Sequence, residues 1–411
     1  MTAQEIILHC EKQTTQRFAN IDAIAYSNQV KVLQAFQNRK LALRHFAPTS
    51  GYGYDDVGRD TLSEIFADIF GAEKAIVSPL ITSGTHALTL MLFGILRPGD
   101  LMLSITGDVY DTLQGVISQE GTGSLRDFGV HYQKIDLQNG QIDSETVRHT
   151  VQTLRPKVVF IQRSRGYNWR NALSIAQIKE ACAIVKNACP DSIIAVDNCY
   201  GEFVDVEEPI AAGADICAGS MIKNPGGGLA PTGGYIAGKS KWVDAVGYRL
   251  TAPGVGTEVG SYAADYRPFY QGLFMAPHVT AQALKGAVLF GAAFSELGYQ
   301  TLPKWDTAPN DIICSVQFNT QEELIAFCRT IQAVSPVDGH VVPYPWDMPG
   351  YSHQVIMAAG TFVQGASIEL SADSPIKKPY IAYMQGGLTY EHVRYAAMQC
   401  VETILQARKN S

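Results

Sequence analysis

The chain has 411 residues, too many for one small core, and length alone predicts two or three structural units. Hydrophobic residues make up 46% and charged residues 17%, a balance that excludes disordered and fibrous chains. A net charge of −7, with basic residues scattered and merely paired at Lys377-Lys378 and Arg408-Lys409, argues against nucleic acid as a partner.

Residues 4–38 carry helical periodicity and are expected to form an arm and first helix, 1–45, that precede the core. A turn-rich passage from Ala47 to Asp56 leads into a helix over about 60–70. Strands are expected next at 101–105, 158–162, 193–197, 216–218 and 234–237, with helices at 85–96, 144–154 and 174–188 between them. This alternation predicts an α/β unit with a mostly parallel sheet covered by helices on both faces. Beyond a helix at 279–296, a strand at 312–318, a helix at 321–332, strands near 355–370 and a helix at 390–408 suggest a smaller α+β unit. The boundary is expected near 290, giving a large unit at 46–290 and a small one at 291–411.

None of the eight cysteines is spaced as Cys-x-x-Cys, and most lie in apolar runs, as buried free thiols of a reducing compartment do. The histidines lack H-x-x-x-H and H-E-x-x-H spacing, so no metal site is expected. No apolar leader opens the chain and no apolar run reaches the roughly 20 residues that span a bilayer, so a cytoplasmic protein without a membrane partner is expected.

The most informative stretch joins an apolar run ending in Asp197 to Ser220-Met221-Ile222-Lys223, which opens onto Asn224-Pro225-Gly226-Gly227-Gly228. A buried strand ending in a carboxylate, followed by a lysine in a Ser-x-x-Lys turn, suits pyridoxal 5'-phosphate. That cofactor needs an amine for its aldehyde and an acid beside its pyridine nitrogen. Thr82-Ser83-Gly84-Thr85-His86 opens an apolar helix and offers hydroxyls and free N–H groups to an anion, although any helix start needs such a cap. Tyr110 follows the strand at 101–105, where an aromatic ring can cover a flat ligand or pack an ordinary loop. Tyr52, Tyr54 and Arg59 lie in a glycine-bearing loop that could complete a phosphate site or simply lead into the next helix. Arg163, Arg165 and Arg170, beside Tyr167 and Trp169 after the strand at 158–162, suggest anion recognition through a guanidinium fork.

Two glycine patterns compete with this reading. Gly233 to Ser240 fits the P-loop pattern by letter, with Lys239 as its lysine, but its interior is strand-like and no strand precedes it. Gly254 to Gly260 is one residue out of register for a dinucleotide fingerprint. Both read as chance matches to those motifs.

The order Tyr52, Tyr54, Arg59, Ser83-Gly84-Thr85-His86, Tyr110, Asp197, Ser220, Lys223 resembles a fold-type I pyridoxal phosphate enzyme of the cystathionine/methionine lyase kind. The phrases Gly51-Tyr52-Gly53-Tyr54-Asp55-Asp56, Asp197-Asn198-Cys199-Tyr200-Gly201-Glu202-Phe203 and Tyr383-Met384-Gln385-Gly386-Gly387-Leu388 resemble its aluminium resistance branch, whose members are labelled carbon–sulfur lyases or methionine gamma-lyase-like proteins. The resemblance implies a PLP-dependent transferase (aspartate aminotransferase-like) fold and a homodimer or homotetramer with shared active sites. It implies that Lys223 carries the aldimine, Asp197 pairs with the pyridinium, and Ser83, Gly84, Thr85 and Ser220 hold the phosphate, helped by Tyr52 or Tyr54 from the neighbour. Tyr110 would stack on the ring and protonate a departing thiolate. Where such enzymes usually place an arginine for the substrate carboxylate, this chain has Lys377-Lys378, which leaves Lys377, Arg163 or Arg165 for that task. The expected activity is β- or γ-elimination from cysteine, cystathionine or methionine, with an aminotransferase or aldolase as the alternative.

Overall fold

The structure, a computed structural model, describes residues 1–348 and 353–409. Helix α1 (Ala3–Asn38) starts at Thr2, whose hydroxyl caps Glu5 N while the Glu5 carboxylate returns to Thr2 N. At 36 residues it is about 54 Å long, enough to pass both halves of the molecule. Ile6, Ile7 and Cys10 enter one core and Val32 and Ala35 another, so α1 is a shared wall and does not merely precede the core.

The first half continues through α2 (Val57–Phe70), β1 (Lys74–Ser78), α3 (Gly84–Ile95), β2 (Leu101–Ser104), α4 (Asp111–Ser118), β3 (His131–Lys134) and α5 (Ser144–Leu154). It then runs through β4 (Val158–Gln162), α6 (Ile175–Ala188), β5 (Ile193–Asp197), β6 (Ile216–Ser220), β7 (Gly234–Gly238) and α7 (Ser240–Leu250). The seven strands lie in the order β1-β7-β6-β5-β4-β2-β3. Six of them run in one direction, five as a continuous parallel run from β3 to β6, while β7 runs against both β6 and β1. Strands β4 to β7 are buried at every position, because helices cover both faces of the sheet. The two strands missing from the sequence reading, β1 and β3, are the sheet's edges. His131 to Lys134 is polar and mostly exposed, so it carries no apolar signal to find.

Helix α8 (Arg267–Glu296) links the halves, and the boundary expected near 290 falls inside it. It begins 12 residues before the expected start at 279 because Pro268 sits in its first turn, where no N–H is needed, and Pro277 is accommodated in its interior. The second sheet holds β8 (Gln300–Leu302), β9 (Ile313–Phe318), β10 (Val355–Ala358), β11 (Ser371–Pro375) and β12 (Tyr380–Gln385), with α9 (Gln321–Ala333) after β9 and α10 (Tyr390–Lys409) at the end. It is antiparallel throughout, in the order β10-β11-β12-β9-β8. The pleat divides its side chains: Cys314, Val316, Ala372, Ala382 and Met384 face the core under α9 and α10. Ser371, Asp373, Tyr383 and Gln385, at the intervening positions, face the first sheet. No described helix is long and apolar enough to cross a membrane.

Candidate active site

A cavity of about 330 Å³ lies between the carboxyl ends of the parallel strands and the polar face of the second sheet. Its floor is assembled from residues that follow each strand: Tyr110 after β2, Ser164, Gly166 and Tyr167 after β4, Asp197, Cys199 and Tyr200 at the end of β5, and Ser220, Ile222 and Lys223 at the end of β6. Topology therefore brings together positions that are more than a hundred residues apart.

The first turn of α3 forms one wall. Ser83 caps it by accepting from His86 N at 3.0 Å, and Gly84 and Thr85 follow with first-turn N–H groups that an anion can accept from. Space beside Gly84 is tight, since a Cβ would meet Cys199 Sγ at 3.3 Å and Ser220 Cβ at 3.4 Å. Thr85 and Thr112 share a hydroxyl hydrogen bond of 2.8 Å, which ties this turn to α4. Ser220 Oγ accepts from Ile222 N at 3.3 Å, folding the chain back so that Lys223 enters the same space.

Lys223 makes no ion pair among the described residues, and its Nζ lies 4.1 Å from the ring centroid of Tyr200. Tyr200 holds a left-handed backbone at φ +70°, a conformation costing on the order of 1–3 kcal/mol that persists only where the surroundings impose it. Asn224 helps impose it by donating to Tyr200 O at 3.2 Å and Glu202 O at 2.9 Å. Burial opposes the Lys223 ammonium, but the acids around it, Cys199, Tyr200, Asp197 and Glu202, outweigh burial and hold the amine above its ordinary value. Asp197 is buried and accepts from Cys199 N at 3.0 Å. Burial raises its carboxyl, and Lys223 and that N–H pull it back.

Beneath the floor, Tyr235 donates to Glu202 Oε1 at 2.7 Å and Asn198 donates to Glu208 Oε2 at 2.9 Å. Burial pushes the Glu202 carboxyl up to about 8. The loop after Lys223 packs backbone to backbone on α8, where a Cβ on Gly227 would collide with Gly272 O, which accounts for that glycine.

Tyr110 lines the cavity, its N–H donating to Gln162 Oε1 at 2.6 Å and its ring 6.3 Å from that of Tyr167. Arg163 and Arg165 do not line it. The Arg163 guanidinium is buried below the floor, donating to Asn198 Oδ1 and Gly201 O at 2.8 Å each. Arg165 spends its fork on Asp311, at 3.1 and 2.8 Å, and also donates to Leu302 O at 2.7 Å, joining the first half to the second sheet. Both arginines expected to receive a substrate carboxylate are thus occupied, because a buried guanidinium has to be fully partnered. Lys377 is exposed and borders a separate polar cavity of about 240 Å³ that shares Tyr110, Gly166 and Tyr167 with the first.

Tyr52 and Tyr54 stand outside the cavity of their own chain, 71% and 64% exposed, with ring centroids 5.6 Å apart. Arg59 is buried and supports their turn by donating to Gly53 O at 3.0 Å. The P-loop match dissolves: its interior is β7 itself, and Lys239 pairs with Asp215 at 2.6 Å at the end of β6 opposite Ser220. Among the described residues no cluster could hold a metal ion.

Among the wall residues to which the sequence assigned no site role are Tyr200, Ser371, Asp373, Tyr383 and Gln385. Polar residues two apart in β11, Ser371 and Asp373, were a usable signal, because alternation puts both on one face.

The methionine gamma-lyase family model matches residues 3–405. The chain belongs to the methionine gamma-lyase family. The uncharacterized protein YnbB of Bacillus subtilis (strain 168) is 52% identical over 390 residues, covering 94% of this chain and 92% of that one. A crystal structure of a Listeria monocytogenes protein named for involvement in aluminum resistance superposes with a TM-score of 0.96 at 51% identity, covering 98% of this chain and 100% of that one. A carbon-sulfur lyase involved in aluminum resistance from Clostridium novyi NT gives 0.94 at 46% identity, over 98% and 96% of the two chains. The fold is the α/β fold-type I architecture expected from the sequence.

Proposed function

We propose that this chain is a PLP-dependent carbon–sulfur lyase that eliminates a thiol from a sulfur-containing amino acid. The observation that carries the reading is the meeting of Lys223, Asp197 and the Ser83-Gly84-Thr85 turn in one cavity. The donor set fits pyridoxal 5'-phosphate: an amine for the aldehyde, a buried carboxylate for the ring nitrogen, and a helix start with Ser220 beside it for the phosphate. When bound, the cofactor supplies an electron sink for the pair left on a deprotonated α-carbon.

The chain's own residues supply the rest. Lys223 Nζ is the covalent attachment point and afterwards the base that takes the α-proton. Asp197 keeps a proton on the ring nitrogen. Tyr110 covers the ring and delivers a proton from its phenol to the departing sulfur. Lys377 is the cation left for the substrate carboxylate, since Arg163 and Arg165 are engaged elsewhere. Tyr52 and Tyr54 belong to the phosphate site of a second copy, in a homodimer or homotetramer, which gives two exposed phenols a role. The reading also takes 46–290 as the cofactor-binding unit, 291–411 as the smaller unit that closes over it, and the cytoplasm as the location.

The test is an absorbance spectrum of the purified protein before and after borohydride, followed by assay for keto acid and thiol. A yellow protein whose colour borohydride discharges, with label retained at Lys223 and keto acid released from cysteine, cystathionine or methionine, is the expected result. A protein without pyridoxal overturns the whole reading; a loaded protein that yields no keto acid overturns the lyase part.

A further inference from the structure

The charge inventory of the cavity is unbalanced. Among the described residues that line it, Lys223 is the one cationic side chain, whereas Asp197 and Asp373 are both carboxylates. On the reading above, Lys223 and Asp197 are both committed to the cofactor. Asp373 is then left in the substrate space with Lys223, already committed to the cofactor, as the one lining cation whose charge reaches it.

Asp373 is placed there by the second sheet. It sits mid-strand in β11, opposite Tyr383 of β12, on the face turned away from the core. Its direct partner is neutral: Gln385 Nε2 donates to Oδ2 at 3.3 Å. Ser371 and Tyr383 border it on the same face, so this wall carries acceptors and hydroxyls and no guanidinium or ammonium. A carboxylate held this way, half-shielded and unpaired, favours a ligand that brings a positive charge. Burial pushes its carboxyl up to about 6 despite the opposing pull of Gln385 and the Lys223 charge, and a bound cation would lower it further.

We propose that Asp373 determines substrate class by receiving an ammonium group at the far end of the substrate's side chain. The preferred substrates are then thioether amino acids that carry a second amine beyond the sulfur. This rests on the lyase reading for the identity of the reacting end. Gln385 is a positioning residue, holding the carboxylate toward the cavity.

The test compares S-(2-aminoethyl)-cysteine with S-propyl-cysteine, which match in length and differ in the terminal ammonium. Both are titrated into the cofactor-loaded protein and its Asp373→Asn variant, with binding read from the change in cofactor absorbance. The ammonium compound is expected to bind wild type about ten- to a hundredfold more tightly. Asp373→Asn abolishes that preference and leaves S-propyl-cysteine within about twofold. Equal affinity of the two compounds for wild type, equal loss of both in the variant, or no binding of either overturns the proposal. The lyase reading fails separately, when the binding preference is present and neither compound releases pyruvate and thiol.

Discussion

Lys223 Nζ lies over the ring of Tyr200, 4.1 Å from its centroid, and Tyr200 reaches that place through a left-handed backbone. The ring face thus supports the amine, whose charge the surrounding acids, Asp197 and Glu202 among them, also favour. An aromatic support orients an ammonium without engaging its lone pair once deprotonated, which suits an amine that must form and release a covalent bond.

Replacing the ring tests that relationship. Tyr200→Phe keeps the aromatic face and is expected to hold cofactor affinity within about twofold. Tyr200→Leu removes it and weakens affinity about five- to tenfold, the size of a partly buried cation–π contact. Equilibrium dialysis of pyridoxal phosphate measures both.

Lys223→Ala abolishes turnover and the borohydride-stable label, whereas Lys239→Ala leaves both unchanged, because Lys239 is tied to Asp215 at the far end of the sheet. Mass spectrometry of the reduced protein reads the label directly.

Arg165→Met tests a structural role against a substrate role. It leaves the buried Asp311 carboxylate without its cation, with the Ile313 N–H still donating to it, and a loss of stability of about 3–5 kcal/mol is expected in denaturant unfolding. An unchanged stability with a KM raised for every amino acid would instead return the arginine to substrate binding.

Glu202 makes stability depend on pH. Its folded carboxyl titrates at about 8 against an ordinary 4.5, so the folded state keeps a proton that the unfolded chain releases. That contribution is fully present below pH 4.5 and is lost as pH rises through 8. Glu202→Gln retains an acceptor for Tyr235 and has no proton to lose, so its melting temperature relative to wild type should climb between pH 6 and 9. A constant difference would show that Glu202 does not titrate in this window.

How much of this was legible in the sequence follows from how local each feature is. The strands ending at Gln162 and Asp197 and the helix at 144–154 could be read to the residue, because burial on both faces leaves continuous apolar runs and caps mark the helix ends. Asp197, Ser220 and Lys223 were likewise visible, since each lies at the end of such a run. The edge strand β3 was not, because pairing on one side through the backbone needs no apolar side chains. Arg163 and Arg165 followed a strand end as a ligand-binding arginine would. Their direction depends on Asn198, Gly201 and Asp311, residues brought near only by folding.

The opening composition argued against nucleic acid as a partner and against disorder, and the motifs named a lysine, an acid and an anion cradle; the motifs are properties of short stretches, fixed by residue type and spacing. Which further carboxylate joins Asp197 in the cavity was decided by tertiary structure. Asp373 stands in the cavity because the pleat of β11 turns it toward the first sheet; the alternation of Ser371 and Asp373 marks one polar face, but what that face meets is set only by folding.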